Sequence, residues 1–275
     1  MKPWQTTIQT SCKHLRIGTC DTLKFELVAN DTTGSCNTSL ETLTIENCDS
    51  LPDIPLGNFP GLQVLSIINC KNLQTISIHC GVQTLNLQRH TIRNCDKFKL
   101  LPTQMTNVLQ SLAFLDLDIC QGIERFSEGG LPSSLQILYM IGREKLMTNQ
   151  KGWGLQTLTR LRYCRIQNSD VESFPNDSIF PPSLEILTLG NHPNLWTLNY
   201  KGLQNLTSLR HLTIWNCPQL QSLPEEGLPS SLTALDINGC GLLNQRLESE
   251  KGEEWQKIRH IRCVSLDQRL IRGCD

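Results

Sequence analysis

The sequence lacks the features that mark membrane proteins, metalloproteins and most enzymes. Its 275 residues contain no run of about 18 apolar residues, and no apolar stretch of signal-peptide length follows Met1. No C-x-x-C pair, H-E-x-x-H motif or G-x-S-x-G elbow occurs. Lys and Arg number 25 against 26 Asp and Glu, so the formal net charge is only −1. These absences predict a soluble intracellular protein that is not an enzyme, with no cofactor, metal, membrane insertion or nucleic-acid partner.

Aromatic residues are also few, at 5%, whereas leucine recurs in the phrase L-x-x-L-x-I-x-x-C-x-x-L. This phrase is the leucine-rich repeat signature, and such repeats stack because one copy cannot bury its apolar face alone. The aliphatic residue three before the cysteine returns every 22–26 residues, at Ile45, Ile67, Ile92, Leu117, Met140, Ile166, Leu189, Ile214 and Ile237. The third copy carries His90 where a leucine is expected. A degenerate copy begins at Leu15, and a last strand is predicted around Val264.

Within each copy the L-x-L core has period 2, so its two aliphatic side chains point inward and the flanking residues point outward. The fold class predicted is an α/β repeat, a leucine-rich-repeat solenoid or horseshoe with a parallel concave β-sheet and a mostly irregular or short-helical convex side. Residues 1–39 are interpreted as degenerate N-terminal repeats or a cap, 40–243 as the repeats, and 244–275 as a C-terminal cap and tail anchored by Trp255.

The segments on the convex side alternate between two types. The segment that leads from the convex side into a strand is called its entry. The entries before Leu135, Leu184 and Leu232 are rich in proline, and because proline disfavours helix they are predicted to be extended. The entries 155–161 and 203–209 contain no proline and are predicted to form a helical turn. The hypothesis is a unit of two repeats, about 48 residues long.

Thirteen cysteines are present, and seven of them share one repeat position. A small buried side chain with a weak donor can serve the backbone turn there, so these residues are predicted to be reduced structural thiols and not disulfides or zinc ligands. Cys164 takes a leucine position and is predicted to lie in the core. The seven are Cys20, Cys48, Cys70, Cys95, Cys120, Cys217 and Cys240.

Outward strand positions are where a repeat protein binds its partners. Aromatic and Arg side chains carry most interface energy, and they gather at these positions in the middle of the chain. The candidate partner-binding residues on the concave face are Phe114, Tyr139, Tyr163, Arg165, His211 and Trp215. The alternative is that they are ordinary solvated positions or contacts to another domain. Asp116 and Asp118 share one strand face and are interpreted as solvated charges.

Three motifs carry a resemblance to a known family. They are Cys217–Pro224, the phrase G-L-P-S-S-L at 130–135 and again at 227–232, and the closing segment Glu250–Ile261. On these motifs the chain resembles the leucine-rich-repeat region of plant coiled-coil-type nucleotide-binding leucine-rich-repeat (NB-LRR) disease resistance proteins.

The resemblance implies a non-catalytic protein-recognition module in plant defence and innate immunity, cytoplasmic or nucleo-cytoplasmic. Its implied partners are proteins: a pathogen effector, a guarded host protein, or the nucleotide-binding domain of a full-length receptor, which it would restrain. No G-x-x-x-x-G-K-[ST] loop occurs, so this chain is not itself the nucleotide switch, and a truncated gene product or an excised domain is expected. The alternatives are a generic intracellular leucine-rich-repeat adaptor, such as a ubiquitin-ligase substrate receptor, or an inactive receptor remnant.

Overall fold

The fold is that of a computed structural model. The structure describes residues 12–23, 25, 39–78, 84–103, 105–120, 122–123, 126, 130–142, 153–175, 179–248 and 252–273. The chain divides into two compact units, Met1–Leu135 and Gln136–Asp275. The division into 1–39, 40–243 and 244–275 stays a prediction.

The first unit is built on parallel strands that pair in sequence order, one from each repeat. Leu15 lies in the first of them, so the degenerate copy does form a strand. The strands are β1 (His14–Gly18), β2 (Thr42–Glu46), β4 (Val64–Ile68), β6 (Arg89–Arg93) and β7 (Phe114–Asp118), and β3 (Asp53–Pro55) and β5 (Thr75–Ser77) form a separate small sheet.

The second unit repeats this arrangement and ends with an antiparallel strand. The strands of its main sheet are β8 (Ile137–Ile141), β9 (Tyr163–Gln167), β11 (Ile186–Gly190), β13 (His211–Trp215), β14 (Ala234–Asn238), β15 (Cys263–Leu266) and β16 (Arg269–Arg272). β15 is the last strand that the sequence predicts, whereas β16 follows it through a tight turn and was not predicted. A small sheet pairs β10 (Ser173–Phe174) with β12 (Thr197–Leu198).

Helices in the described residues are short. They are the 3-10 turns Leu56–Asn58 and Leu155–Thr157 and the α-helices Met105–Val108, Tyr200–Leu203, Gly241–Leu247 and Glu253–Lys257. A 3-10 turn lies within the proline-free entry 155–161, as predicted, whereas the α-helix Tyr200–Leu203 ends at the first residue of the entry 203–209. The proline-rich entry 218–231 is described throughout and contains no helix. The described parts of the entries before Leu135 and Leu184 contain none either, which agrees with the two-repeat hypothesis.

The leucine spine lies on one side of each sheet. Strands pair in register, so equivalent repeat positions are neighbours, and Leu65, Leu115 and Leu212 are fully buried. Each such side chain contributes roughly 1.5–3 kcal/mol through burial. The column followed in the sequence runs through Ile45, Ile67, Ile92 and Leu117 in the first unit and Met140, Ile166, Leu189, Ile214 and Ile237 in the second, all buried. Each unit is thus a stack of leucine-rich repeats.

The cysteine column serves the backbone, as predicted. The thiol of Cys70 donates to the carbonyl of Ile68, at 3.6 Å, and also lies 4.0 Å from the carbonyl of Ile45 in the preceding repeat. Cys120 makes the same pair of contacts, to Asp118 and Ile92. Burial raises the pKa of Cys70 to about 11 and that of Cys95 to about 12, so these thiols stay protonated at neutral pH. Cys164 is fully buried in the spine, also as predicted.

One described cysteine departs from the prediction of reduced thiols. Cys263, on β15, is disulfide-bonded to a partner outside the described residues. It occupies an outward strand position, outside the column of buried turn cysteines, so the repeat pattern gave no indication of its state.

Two histidines lie in the interior. The His90 side chain takes its leucine position inward and is 2% exposed. Its Nδ1 is 3.3 Å from the carbonyl oxygen of Leu65, and Nε2 has no partner among the described residues. His192 takes the cysteine position of its repeat, with Nδ1 2.7 Å from the hydroxyl of Ser169 and Nε2 3.2 Å from the carbonyl oxygen of Ile166. Burial lowers both pKa values, that of His90 to about 4, so both rings are neutral at pH 7.

A column of asparagines ends the strands. Asn47, Asn69 and Asn94 each have a positive φ, between 52° and 56°. The amide of Asn69 donates to Asn47 Oδ1 at 3.0 Å, and that of Asn94 donates to Asn69 Oδ1 at 2.9 Å. Asparagine tolerates this left-handed conformation better than most residues. Ile119 holds the same position with a φ of 50°, which strains a β-branched residue.

The segment after the last regular repeat packs onto the second unit through its side chains. Trp255 is buried, as predicted, and the Arg272 guanidinium lies 4.7 Å above its ring. Buried Glu254 accepts a hydrogen bond from the backbone N–H of Leu223 at 2.8 Å, and Lys257 donates to the carbonyl of the same residue at 2.9 Å. Leu223 thus has both of its backbone polar groups satisfied by one helical turn.

Candidate functional site

The open face of each sheet is the side opposite the leucine spine. Side chains at the first, third and fifth positions of each five-residue strand point to this face, because alternate residues of a strand face opposite sides. In the second unit this face carries five of the six candidate residues, on β8, β9 and β13. They are Tyr139, Tyr163, Arg165, His211 and Trp215. Phe114 lies on β7 of the first unit.

Two tyrosines begin the aromatic surface of the second unit. The rings of Tyr139 and Tyr163 meet edge to face, with centroids 5.3 Å apart and an interplanar angle of 69°. The Tyr163 hydroxyl lies 3.4 Å from Oγ1 of Thr188, on the next strand. Aromatic pairs in this geometry are favourable beyond the area that they bury. Both rings are half-buried, so each keeps part of its surface available to a partner.

Arg165 stands beside these rings in the middle of β9. Its register partners are Tyr139 on one side and Thr188 on the other, and its guanidinium carbon lies 5.8 Å from the Tyr139 ring centroid. When the side-chain amide oxygen of Gln167 faces the guanidinium, it accepts hydrogen bonds from Nε and, at 3.1 Å, from an Nη of Arg165. Gln167 is only 5% exposed, so it fixes the guanidinium from below without neutralising it.

Trp215 lies flat across the neighbouring strand because Gly190 leaves it room. The two residues are register partners on β13 and β11. A Cβ atom added at Gly190 would collide with the Trp215 indole ring. The indole therefore occupies the space that a side chain on β11 would take, next to Gln167 on the following strand.

His211, the fifth candidate residue, contacts an acid on the neighbouring strand β14. Its Nε2 is 2.6 Å from Oδ2 of Asp236 and 3.4 Å from the hydroxyl of Thr213. The His211 and Asp236 side chains are 38% and 35% exposed, so solvent screens this pair. The structure therefore brings the five residues onto one face of the second unit. That they bind a partner stays a prediction.

Phe114 differs from the other five candidates. It is 9% exposed, and the Arg89 guanidinium lies 4.1 Å from its ring centroid and covers it. Phe114 offers a partner little area, and its outward strand position gave no indication of this cover.

Asp116 corrects a second expectation. We expected a solvated charge, but the Asp116 side chain is fully buried. Its Oδ2 accepts from Nε of Arg93 at 3.1 Å and from an Nη at 2.6 Å, while Oδ1 has no partner among the described residues. Asp118 is 24% exposed and lies 3.9 Å from the same guanidinium. The open face of the first unit thus carries ion pairs of its own, Arg93 with Asp116 and Arg16 with Glu46.

Sequence reasoning missed Gln167 and Gly190 as parts of the site. Both lie at the last outward position of their strands, yet neither residue type is typical of a binding surface. The indication available was the repeat offset, because Gly190 and Trp215 are separated by one period of 25 residues and must be neighbours across the sheet. Within the described residues, no three His, Cys, Asp or Glu side chains are grouped closely enough to hold a metal ion.

No helix in the described part of the protein is long and apolar enough to cross a lipid bilayer.

The known proteins that this chain resembles in sequence come from plants. No protein-family model matches the sequence. The chain is 32% identical over 291 aligned residues to the Arabidopsis thaliana protein At3g14460, which is named as a disease resistance protein, and this covers 95% of the chain and 20% of the relative. It is 30% identical to the disease resistance protein RPS6 of the same plant, over 72% of the chain and 16% of RPS6. A third A. thaliana relative, the protein SUPPRESSOR OF npr1-1, CONSTITUTIVE 1, is 27% identical over 74% of the chain and 12% of its own length.

A solved structure of an internalin from Listeria monocytogenes aligns with 94% of this chain and 80% of that one, at 16% identity and a TM-score of 0.40. The chain spans about a fifth or less of each of the plant relatives named above. The matches to the plant relatives confirm the resemblance that the repeat motifs carried. Over most of its length, the chain is a leucine-rich-repeat relative of the plant disease resistance proteins.

Proposed function

We propose that this chain is a non-catalytic protein-recognition module of a plant intracellular immune receptor. In this role the open face of the second unit binds a pathogen effector or a host protein that an effector modifies. The single observation that carries the proposal is the group of half-buried Tyr139, Tyr163, Arg165 and Trp215 side chains on that face.

The physical support comes from the kind of side chain that is exposed there. Tyr, Trp and Arg are the residues whose truncation costs most at protein interfaces, and rigid aromatic rings lose little entropy on binding. Tyr139 and Tyr163 hold each other in place, and the Gly190 backbone supports Trp215. A partner would therefore meet a surface that is already ordered, and less binding free energy would be lost in fixing side chains.

Restraint of a nucleotide-binding switch is the second part of the proposal. The relatives are named as disease resistance proteins and are several times the length of this chain. This sequence contains no phosphate-binding loop, so the switch would be supplied by another domain or another polypeptide. The ion-paired open face of the first unit is the candidate surface for that contact, since rim charges set partner choice and orientation.

The test is proximity labelling in plant cells, with a labelling enzyme fused to the whole chain. The triple variant Tyr139→Ala, Tyr163→Ala, Trp215→Ala is compared with the wild type after exposure to a pathogen. We expect the wild type to enrich a set of effector or host proteins that the triple variant loses. Co-expression of a nucleotide-binding domain from a relative shows in the same experiment whether that domain is labelled.

Trp196→Ala is the matched control, because Trp196 is 52% exposed but lies outside the open face. It removes an exposed aromatic side chain and should leave the enriched set unchanged. If the triple variant and the wild type enrich the same proteins, and both are folded by circular dichroism, the open face of the second unit is not the recognition surface.

A further inference from the structure

One cation on the open face of the second unit, Arg165, has no acid beside it in the part of the chain that the structure describes. Arg165 is held by Gln167, a neutral amide, and within the described residues it has no carboxylate at salt-bridge distance. Arg16 and Arg93, on the open face of the first unit, each pair with an acid from the next strand, at 2.7 and 2.6 Å. Arg165 differs from both because a neutral amide fixes its orientation and no described residue neutralises its charge.

The acid on the same face is too far away to serve it. Asp236 lies on β14, three strands from β9, so about 14 Å separates the two positions at a strand spacing of about 4.8 Å. Asp236 is also engaged by His211 at 2.6 Å. Among the described residues, Arg165 is therefore flanked by Tyr139, Thr188 and the Gln167 amide, and no acid offsets its charge.

A second unused donor lies close by. The Trp215 indole crosses Gly190, whose other register partner is Gln167, so its ring lies on the same side of β9 as the guanidinium. The Nε1–H group of Trp215 has no acceptor among the described residues. Two donors, the second edge of the Arg165 guanidinium and the indole N–H, thus lie beside buried Gln167, and no described residue accepts a hydrogen bond from either.

We propose that Arg165 and Trp215 bind a carboxylate presented by the protein partner, with the apolar part of that partner covering Tyr139 and Tyr163. This inference rests on the proposed function of the open face and specifies its partner chemistry. Gln167 accepts from Nε and one Nη, which leaves the opposite edge of the guanidinium for the two oxygens of a carboxylate. Exclusion of water by the partner strengthens that ion pair, since charges attract more strongly at low dielectric.

The carboxylate could belong to an Asp or Glu residue or to the C-terminus of the partner, and both present the same pair of oxygens. The experiment uses the whole purified protein and three short peptides: acetyl-Leu-Glu-Leu-amide, its neutral match acetyl-Leu-Gln-Leu-amide, and acetyl-Leu-Leu with a free C-terminal carboxylate. The signal measured is the NMR indole N–H resonance of Trp215, identified among the five tryptophans by its loss in Trp215→Phe.

We expect at least one carboxylate peptide to shift this resonance at about tenfold or more lower concentration than the neutral peptide, because a hydrogen-bonded ion pair discriminates by about that factor. Arg165→Gln should abolish the difference. Arg165→Lys should retain only part of it, since an ammonium lacks the planar fork. Arg210→Gln, which removes an exposed cation of the same unit outside the open face, is the matched control and should behave as the wild type.

A response to the Glu peptide alone assigns the carboxylate of an acidic residue, a response to the free C-terminus alone assigns a terminal carboxylate, and both support the site. Equal responses to all three peptides, or an unchanged difference in Arg165→Gln, overturn it. If that happens while the triple alanine variant still loses its partners, the face is a recognition surface that binds without a carboxylate. If the triple variant loses nothing, the proposed function itself fails.

Discussion

Two side chains, His90 and Ile119, occupy repeat positions to which their chemistry is poorly suited. His90 places an imidazole in the leucine column, with one ring nitrogen buried and unpartnered among the described residues. Ile119 places a β-branched side chain in a left-handed conformation that its counterparts fill with asparagine. Each residue costs stability for a different reason, and each can be replaced by the residue that its column favours.

His90→Leu should stabilise the protein, and more so in acid. The pKa of His90 falls from 6.5 in the unfolded state to about 4 in the fold, because burial disfavours the charged ring. Between these pH values the unfolded state binds a proton that the folded state does not, so stability present above pH 6.5 is lost as the pH falls towards 4. That loss is roughly 3 kcal/mol, and an unsatisfied buried group costs about 1–3 kcal/mol at any pH.

Urea unfolding of the wild type and His90→Leu at pH 7.5 and pH 4.5 checks this. The wild type should lose more free energy of unfolding between the two pH values than the variant does. A residual loss in the variant is expected from His192, whose pKa burial also lowers. His14→Gln, at an exposed position of β1, should keep the wild-type dependence. Equal pH dependence in wild type and His90→Leu would contradict the burial argument.

Ile119→Asn should raise the free energy of unfolding by about 1 kcal/mol, because left-handed backbone costs a β-branched residue about 1–2 kcal/mol. The new amide would also follow Asn94 in the asparagine column. Thermal and urea unfolding measure the change. The reciprocal variant Asn94→Ile removes a 2.9 Å hydrogen bond and introduces the same strain, so it should be destabilised. A loss of stability in Ile119→Asn would show that the native isoleucine makes a contribution that outweighs the strain.

At the scale of elements, the pairing of β11 with β13 determines the form of the candidate site. Gly190 ends β11 where the neighbouring strands carry Gln167 and Trp215. Any side chain there would separate these two residues, because its Cβ atom would occupy the space of the indole ring. One glycine therefore makes a continuous surface from side chains of two non-adjacent strands.

Gly190→Ala should displace the Trp215 indole from β11 and weaken partner binding, with little change in global stability. Tryptophan fluorescence should report a more solvated indole, and carboxylate-peptide affinity should fall about tenfold if the indole N–H bond is lost. Gly142→Ala is the control, because a Cβ atom there meets nothing within 4 Å. An unchanged Trp215 resonance in Gly190→Ala would mean that the ring is not seated on this strand.

At the scale of the whole molecule, the repeat makes many positions equivalent, and the cysteine column shows this most directly. Cys48, Cys70 and Cys95 are fully buried in successive repeats of the first unit, and burial raises the pKa of each thiol. A thiol reacts as its thiolate, so both inaccessibility and protonation protect this column.

Alkylation of the native protein at pH 8, with mass spectrometry to locate the label, should modify Cys12 first and Cys70 and Cys95 only on unfolding. Cys12 is partly exposed, as is Cys20 at the start of the column, whereas the buried thiols of Cys70 and Cys95 become accessible only when the stack opens. Their labelling rate should therefore rise with urea in parallel with the unfolding curve. Labelling of Cys95 at the rate of Cys12 without urea would contradict the buried column.

The sequence predicts this fold well because the same pattern recurs in every repeat, so each copy independently supports the same assignment of strands and core positions. The period that links Ile67 to Ile214 determines which side chains are buried and which strands pair. It contains no information about departures from the repeat, so the antiparallel β16 and the disulfide of Cys263 were not predicted. The outward residues were identified by position alone, but the exposure and pairing of their side chains depend on neighbours across the sheet. For that reason the cover over Phe114 and the burial of Asp116 became apparent only in the structure.

The alternation along each strand separates two kinds of selection. Leu187 can be neither enlarged nor charged without disturbing the repeats beside it, whereas Ile186, one residue earlier, points away from the spine and can change alone. Adjacent codons are thus under different selection. The codon of the buried residue is constrained by the packing of the repeats, and the codon of the outward residue is constrained by the molecule that it contacts. In the proposed recognition role, a lineage under pressure from changing pathogens would diversify the second set rapidly while the first stays fixed. Sequence variation between closely related copies of this gene should therefore alternate with a period of two within the strands.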